Sequence, residues 1–207
     1  MIAIIDYGMG NIHSVRKVIE SFGSGYFIAQ EGGDLNKADK IILPGVGAFA
    51  DAMREFKKRG LERAIIEQIK QKKPFLGICL GMQLLFNKSY EGEGSRGLGV
   101  LSGAVNKFSL PGEFKVPHIG WNQLKKKSVG CPLLKDIADN SYVYFCHSYY
   151  VEPEDKNVIA AITDYGINFT SAVSKDNIFG VQFHPEKSQA IGLKVLENFI
   201  NLIPYTN

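Results

Sequence analysis

The sequence predicts an α/β fold with an open, mostly parallel sheet flanked by helices and with added antiparallel strands in the C-terminal half. Between Ile2 and Phe86, short apolar runs alternate with segments of helical spacing, the pattern of a parallel sheet covered by helices. Beyond Phe86, strand-like segments separated by short turns replace that alternation. We find no linker, repeat or low-complexity segment, so we expect one domain over residues 1–207.

Composition and charge exclude several classes of protein. The 207 residues are 45% hydrophobic and 22% charged, and a net charge of +3 is too small to indicate a nucleic-acid partner. The three cysteines, Cys79, Cys131 and Cys146, contain no C-x-x-C pair and predict neither a disulfide framework nor a metal site. No signal peptide or membrane span is visible. We therefore expect a cytoplasmic protein with reduced thiols and no cofactor.

The first half reads as strands and helices in turn. Ile2 to Ile5 is a continuous apolar run, as in a strand buried on both faces. The following glycine loop, Asp6 to Asn11, lacks the third glycine of a dinucleotide site, so nucleotide binding there is a weak alternative. Spacing then predicts a helix at 12–22, strands at 26–29 and 41–43, and one long amphipathic helix at 53–69.

The segment Pro44 to Phe49 follows the predicted strand at 41–43. A strand that ends in Pro-Gly-x-Gly leaves backbone N–H groups outside any sheet ladder, free to donate to a negatively charged oxygen. An ordinary turn is the simpler interpretation of this segment by itself.

The fold is organised around the stretch from Lys73 to Phe86. An apolar strand, Phe75 to Ile78, stops at Cys79, and helical spacing begins at Leu80. The pattern Gly-x-Cys-x-Gly is the thiol counterpart of the nucleophile elbow, and a helix N-terminus beside the sulfur favours the thiolate. A free cysteine is also commonly a small buried apolar residue, so Cys79 alone does not decide between these interpretations.

The second half is predicted as antiparallel strands after a glycine-rich loop at 91–99. The predicted strands are 114–119, 142–150, 158–162, 169–173 and 178–183, and a C-terminal helix carries apolar residues from Ile191 to Ile200. His184 follows the last of these strands, with Glu186 two residues on. Since ligands of open α/β sheets bind at the carboxyl ends of the strands, we predict that His184 and Cys79 meet there as a base and a nucleophile.

Several motifs carry a resemblance to a known family. Gly77-Ile78-Cys79-Leu80-Gly81-Met82-Gln83 and Gly180-Val181-Gln182-Phe183-His184-Pro185-Glu186 resemble the class I (triad) glutamine amidotransferases. Three more segments resemble the glutaminase subunits of imidazole glycerol phosphate synthases within that family: Pro44-Gly45-Val46-Gly47-Ala48-Phe49, Val116-Pro117-His118-Ile119-Gly120-Trp121-Asn122 and Tyr144-Phe145-Cys146-His147-Ser148-Tyr149. The motifs occur in family order along the chain.

The resemblance implies an activity and residues for it. Glutamine would be hydrolysed to glutamate and ammonia by Cys79 as nucleophile, His184 as proton carrier and Glu186 as the group that orients His184. The backbone N–H groups of Val46 and Leu80 would form the oxyanion hole. The residues implied to hold L-glutamine are Gly47, Gln83, Glu91, Ser148 and Tyr149.

The resemblance also implies a partner. In the family, the glutaminase forms a heterodimer with a (β/α)₈-barrel cyclase that uses the ammonia to make imidazole glycerol phosphate and AICAR in histidine biosynthesis. The residues at interface positions are Asn11, Trp121, Tyr144 and Lys187. On chemical grounds Trp121, the only tryptophan, is either a core residue or one that a partner covers. Cys146 replaces a β-branched residue usual in the family, and burial would make its thiol inert.

The sequence leaves one other interpretation open and argues against two. A paralogous synthase-like partner would direct the same glutaminase chemistry to amidino-sugar formation for surface polysaccharides. A peptidase of related architecture would be expected to lack the two segments at 116–122 and 144–149. A non-catalytic interaction module would require the loss of Cys79, His184 or Glu186, and all three are present.

Overall fold

The computed structural model describes residues 1–110, 112, 114–127 and 130–203. In chain order the helices and strands are β1 (Ile2–Ile5), α1 (Ile12–Ser21), β2 (Tyr26–Ala29), β3 (Lys40–Gly45), α2 (Phe49–Lys58), α3 (Leu61–Lys70), β4 (Phe75–Cys79), α4 (Leu80–Gln83), β5 (Phe86–Ser89), β6 (Ser95–Arg96), β7 (Leu101–Lys107), β8 (His118–Lys126), β9 (Ser141–His147), β10 (Tyr149–Pro153), β11 (Ile159–Asp164), β12 (Asn168–Lys175), β13 (Ile178–Val181) and α5 (Gln189–Ile200).

The strands form one large mixed sheet, which confirms the predicted fold class. Its parallel part runs in the order β2-β1-β3-β4-β13, and β12, β10, β7, β5 and β6 continue it. Strand β12 pairs antiparallel with β13 and with β10. Strand β11 joins β12 to β8, and β8 pairs antiparallel with β9 along its length.

The core lies on both faces of the parallel part. Ala3 and Ile5 pack on the face covered by α2 and α3, whereas Ile2 and Ile4 pack on the face covered by α1 and α5. This alternation follows from the two-residue period of a strand, and it explains why β1 is apolar throughout. None of the helices in the described part of the chain is long and apolar enough to cross a membrane.

Two helix predictions are wrong in length. The amphipathic segment at 53–69 is two helices, α2 and α3, because Gly60 lies between them with φ 64° and ends the helical path. The helix after Cys79 is a single turn. Leu84 and Leu85 direct their carbonyls to the backbone N–H groups of Leu98 and Val100, so the chain turns into β5 instead of continuing the helix.

Two strand predictions are also wrong in their bounds, and three strands were not predicted. Strand β8 begins at His118 and extends to Lys126, so the predicted strand at 114–119 overlaps it by only two residues. The segment 142–150 is divided at Ser148, because β9 pairs with β8 whereas β10 pairs with β7. Strands β5, β6 and β7 were missed because they alternate weakly or are short.

Candidate active site

Cys79 lies on a strained turn between β4 and α4. Its backbone has φ 55° and ψ −112°, a conformation that costs a residue with a side chain about 1–3 kcal/mol. The glycines around it permit the turn. A Cβ on Gly81 would lie 1.9 Å from the carbonyl oxygen of Leu43, and a Cβ on Gly77 would lie 2.5 Å from that of Gly81. The elbow therefore depends on backbone contact that side chains would prevent.

Strand register brings three strand ends to the same edge of the sheet. Gly45 in β3 pairs with Cys79 in β4, and Val181 in β13 pairs with Ile78 on the other side of β4. His184, three residues beyond Val181, thus enters the site from the strand next to the nucleophile. The predicted meeting of His184 and Cys79 follows from this parallel pairing.

The three residues of the implied triad lie together. His184 Nδ1 is 2.9 Å from Glu186 Oε1, and the same imidazole borders the pocket together with Cys79. Since a carboxylate only accepts hydrogen bonds, Nδ1 carries a proton, and Nε2 is the nitrogen left to interact with the sulfur of Cys79. The side chains of His184 and Glu186 are almost completely buried. Among the described residues, Asn11 Nδ2 gives Glu186 Oε1 a second, longer contact of 3.5 Å.

Hydrogen bonds to β9 fix the backbone that carries His184. The N–H of His184 donates to the carbonyl of Tyr144 at 2.9 Å, and Ser188 Oγ donates to the carbonyl of His184 at 2.7 Å. The same Ser188 oxygen accepts the N–H of Tyr144 at 2.9 Å. The turn from His184 to Ser188 is consequently attached to β9 at both ends.

The electrostatics of this site favour a protonated imidazole. Burial by itself lowers the pKa of His184, but the hydrogen bonds and charges of Cys79 and Glu186 outweigh burial and raise that pKa to about 10. A histidine protonated at neutral pH can give a proton to a leaving group and take one back from water.

The sulfur receives its polar contacts from the residue that follows β13 and from β9, not from a long helix. A helix of four residues has little dipole, so the predicted help from a helix N-terminus is small. Gln182 Nε2 lies 3.6 Å from Cys79 Sγ, and the carbonyl of Cys146 lies 4.0 Å from it. Sequence reasoning missed Gln182, although it is the one polar residue in the buried run Gly180 to Phe183.

A pocket of about 330 Å³ opens above the sulfur. Nearly all residues implied to act on glutamine border it. The lining residues are Val46, Gly47, Cys79, Leu80, Gln83, Glu91, Pro117, Cys146, His147, Ser148, Tyr149, His184 and Lys187. Of the implied catalytic and substrate residues, Glu186 alone is not part of the lining, since it lies behind His184.

The loop after β3 lies against the elbow. A Cβ on Gly45, the last residue of β3, would be 3.0 Å from the backbone nitrogen of Gly81, so the start of the loop lies close to α4. Val46 is exposed, and Gly47 follows with φ 98°. Both Val46 and Leu80 border the pocket.

The residues implied to hold glutamine come from four segments: the loop after β3, α4, the glycine-rich loop after β5 and the junction of β9 and β10. Gln83 Nε2 donates to the carbonyl of Tyr149 at 2.9 Å and to Gln182 Oε1 at 3.0 Å. Glu91 Oε2 accepts the N–H of Phe49 at 2.8 Å, which places a carboxylate at the N-terminus of α2. Glu91 thereby connects its glycine-rich loop to the helix that follows Gly47.

Of the implied interface residues, Lys187 lines the pocket. Trp121 is 46% exposed and packs edge-on against Tyr144 with ring centroids 6.1 Å apart, so it is not a core residue. Lys187 Nζ lies 5.7 Å from the centre of the Tyr144 ring. Asn11 caps α1 by accepting the N–H of Ser14 and contacts Glu186. Cys146 is exposed, which contradicts the expected burial, because it shares the outward face of β9 with Tyr144.

A match to a protein family agrees with this geometry. Residues 3–202 match the family Glutamine amidotransferase class-I. Because the match covers nearly the whole chain, the protein belongs to the class-I glutamine amidotransferases.

Relatives narrow the assignment. The chain is 48% identical over 199 residues to the imidazole glycerol phosphate synthase subunit HisH of Rhodopirellula baltica, with 96% of each chain covered. It is 50% identical over 204 residues to the imidazole glycerol phosphate synthase subunit HisH 1 of Campylobacter jejuni, covering 98% of this chain and all of the relative. Within the class-I family, it is thus a member of the HisH group.

A solved structure supports the fold. The structure of PurLQS from Thermotoga maritima aligns with a TM-score of 0.76 at 20% identity and covers 97% of both chains. At this identity, the likeness concerns the fold alone.

Proposed function

We propose that this protein hydrolyses L-glutamine with a Cys79, His184 and Glu186 triad and passes the ammonia to a (β/α)₈-barrel cyclase. That partner would make imidazole glycerol phosphate and AICAR in histidine biosynthesis, in the cytoplasm. The observation that carries the proposal is the placement of Cys79 and His184 in one pocket, with Glu186 Oε1 2.9 Å from His184 Nδ1.

The triad accounts for the first half of the reaction. The sulfur of Cys79 attacks the side-chain amide carbon of glutamine, and the carbonyl oxygen becomes negative. The C–N bond then breaks while protonated His184 gives its proton to the departing nitrogen. The products are ammonia and a γ-glutamyl thioester on Cys79.

Water completes the cycle. His184, now neutral, removes a proton from water, and the hydroxide attacks the thioester carbon. The C–S bond breaks, glutamate leaves, and the thiolate of Cys79 and the imidazolium of His184 are restored. Glu186 keeps the proton on His184 Nδ1, so that Nε2 performs both transfers.

Two backbone N–H groups would stabilise the negative oxygen. Leu80 follows the nucleophile, and Val46 lies on the loop that touches the elbow through Gly45. One such donor contributes about 3 kcal/mol to transition-state stabilisation. A rotation of the Val46 peptide into or out of the site would therefore switch the activity.

The substrate would be held by its α-amino and α-carboxylate groups. Glu91 offers a carboxylate for the ammonium group, and Ser148, Tyr149 and Gly47 border the same side of the pocket. Gln83 positions this wall through its hydrogen bond to the Tyr149 carbonyl. Substrates without both α-substituents should bind poorly.

The partner would cover the face around Trp121. Ammonia must reach the acceptor without bulk water, where it would be protonated and lose its nucleophilic lone pair. The exposed Trp121 and Tyr142 lie on the outward face of β8 and β9 with Cys146, which lines the pocket, and such a surface suits docking of the cyclase. Asn11, Tyr144 and Lys187 extend this surface. The names of the HisH relatives favour the cyclase of histidine biosynthesis over a synthase for amidino sugars.

The test compares Cys79→Ala with Cys131→Ala in complexes reconstituted with the cyclase and its nucleotide substrate. Cys79→Ala should lower the rate of glutamine hydrolysis at least about 10⁴-fold, because the triad acts as a unit. Cys131 is buried outside the pocket, so Cys131→Ala should stay active. Imidazole glycerol phosphate formation from added ammonium chloride should survive in both variants.

Two results would count against the proposal. Retained hydrolysis in Cys79→Ala would remove the nucleophile from the mechanism. Failure of the wild-type complex to form imidazole glycerol phosphate, with glutamine hydrolysis intact, would point to the other class of synthase.

A further inference from the structure

Two buried histidines lie behind the pocket and have no part in the chemistry above. His118 in β8 and His147 in β9 occupy paired positions of the antiparallel ladder, and they are 2% and 6% exposed. His147 also borders the pocket, directly before Ser148 and Tyr149.

Their contacts determine where each proton lies. His147 Nδ1 is 2.8 Å from the carbonyl oxygen of Tyr149, which only accepts, so Nδ1 must carry the hydrogen. His147 Nε2 is then an acceptor, and His118 Nδ1–H donates a hydrogen bond to it at 3.2 Å. His118 Nε2 in turn accepts from Asn122 Nδ2 at 3.4 Å.

The surroundings keep both imidazoles neutral. His118 is stacked between Phe145 and Tyr165, with ring centroids at 4.9 and 3.9 Å, and Phe169 lies against both histidines. Burial lowers the pKa of His118 to about 4 and is the main cause that lowers the pKa of His147 to about 3. In a neutral pair each ring has one donor and one acceptor, and the observed hydrogen bonds use all four of these groups.

The series of hydrogen bonds continues from Tyr149 to the nucleophile Cys79. The Tyr149 carbonyl accepts a second hydrogen bond from Gln83 Nε2 at 2.9 Å. Gln83 Nε2 also donates to Gln182 Oε1, and Gln182 Nε2 lies 3.6 Å from Cys79 Sγ. The carbonyl of Tyr149 is therefore the point where the β9–β10 segment is attached to the elbow.

From this geometry we infer that His147 is a positioning residue for glutamine, and that His118 fixes the tautomer that lets His147 do so. His147 holds the Tyr149 carbonyl and with it the Ser148–Tyr149 wall of the pocket. This inference rests on the proposed glutaminase function.

The backbone at this point needs such support. At Ser148 the pairing partner changes from β8, which pairs with β9, to β7, which pairs with β10, so the wall lies at the junction of two ladders. A reacting group that moves by about 1 Å can lose about 100-fold in rate. The donor on His147 Nδ1 adds a side-chain constraint on the Tyr149 carbonyl at this junction.

Two substitutions at one position separate this role from simple packing. In His147→Asn the side-chain amide replaces the Nδ1 donor, whereas in His147→Gln it replaces the Nε2 acceptor. His147→Gln should lower kcat/KM for glutamine about 10-fold in the reconstituted complex, mainly through a higher KM, because one buried hydrogen bond is lost. His147→Asn should recover most of that loss.

A spectroscopic measurement tests the tautomers in the free protein. Imidazole ¹⁵N shifts should show both His118 and His147 protonated on Nδ1 and not on Nε2 at neutral pH. His118→Gln removes the donor to His147 Nε2, and His147 should then show a mixture of tautomers. His118→Asn keeps a donor at the Nδ1 position and should preserve the Nδ1–H form of His147.

The outcomes are decisive in either direction. Equal effects of His147→Asn and His147→Gln on kcat/KM, or an Nε2–H tautomer of His147 in the wild type, would overturn the inference. If a variant at 147 does not fold, the wild-type tautomer measurement still decides. A wild-type complex without glutaminase activity would instead refute the proposed function, and the tautomers would remain a separate result.

Discussion

The elbow edge and the β8–β9 pair achieve their structure in opposite ways. At the elbow, β3, β4 and β13 are buried on both faces, and α4 lies so close to β3 that Gly81 has no room for a Cβ. The β8–β9 pair buries one face, which contains polar imidazoles, and leaves Ile119 and Trp121 exposed on the other.

This difference distinguishes the elbow, whose packing is complete within this chain, from the outward face of β8 and β9, which this chain leaves uncovered. Close backbone contacts within this chain fix the turn at Cys79. These steric constraints act whether or not a partner is bound. The outward face of β8 and β9 exposes large apolar side chains beside the pocket mouth, as at a protein interface. We therefore expect substitutions in the first region to affect folding and those on the outward face to affect association.

The largest effect is expected at Gly81, where a substitution tests whether steric contacts fix the elbow. In Gly81→Ala the new methyl would lie 1.9 Å from the Leu43 carbonyl oxygen, so β3 and α4 must separate. We expect a loss of about 3 kcal/mol in the free energy of unfolding, measured by urea denaturation. Gly33→Ala is the matched control, because a Cβ there meets nothing within 4 Å. Equal stability of the two variants would break the steric account of the elbow.

A smaller effect is expected on the outward face. Trp121→Ala should weaken binding of the cyclase by about 2 kcal/mol, or about 30-fold in Kd, and leave the unfolding free energy of the free chain nearly unchanged. Calorimetric titration measures the first quantity and thermal unfolding the second. Leu193→Ala, an exposed apolar residue on α5, is the control. Unfolding of the free Trp121→Ala protein, with unchanged affinity for the cyclase, would contradict the division proposed here.

The buried histidines on the inward face of β8 and β9 should make the free energy of unfolding depend on pH in the acid range. His118 and His147 are neutral when folded, with pKa values lowered by burial to about 4 and about 3, and each can gain a proton on unfolding below about pH 6.5. The unfolded state then binds more protons, so this contribution to stability is complete above pH 6.5 and declines as pH falls.

The expected slope is up to about 1.4 kcal/mol per pH unit for each histidine. Urea unfolding at several pH values should show a shallower slope in the double variant His118→Asn and His147→Asn. The exposed His13, replaced by Asn, controls for the loss of a histidine. An identical slope in the wild type and the double variant would mean that the buried pair is protonated in the folded state.

Much of the fold was predictable because local patterns carry it. The apolar run of β1 and the glycine-bracketed Cys79 each indicate their structure within a few residues. The break at Gly60 was missed because helical periodicity continues across it, and α4 was overestimated because Leu84 and Leu85 fit a helix as well as they fit the loop before β5. Both errors arise where a distant segment supplies the competing hydrogen bonds.

The sequence alone determined the residue types of the site and the elements that carry them, because strand, turn and helix patterns are local. The tertiary structure decided which atoms meet. Parallel register between β4 and β13 brings His184 to Cys79, and a ladder between β8 and β9 pairs His118 with His147. Such pairings join residues far apart in the chain, and their geometry depends on the packing of the whole sheet.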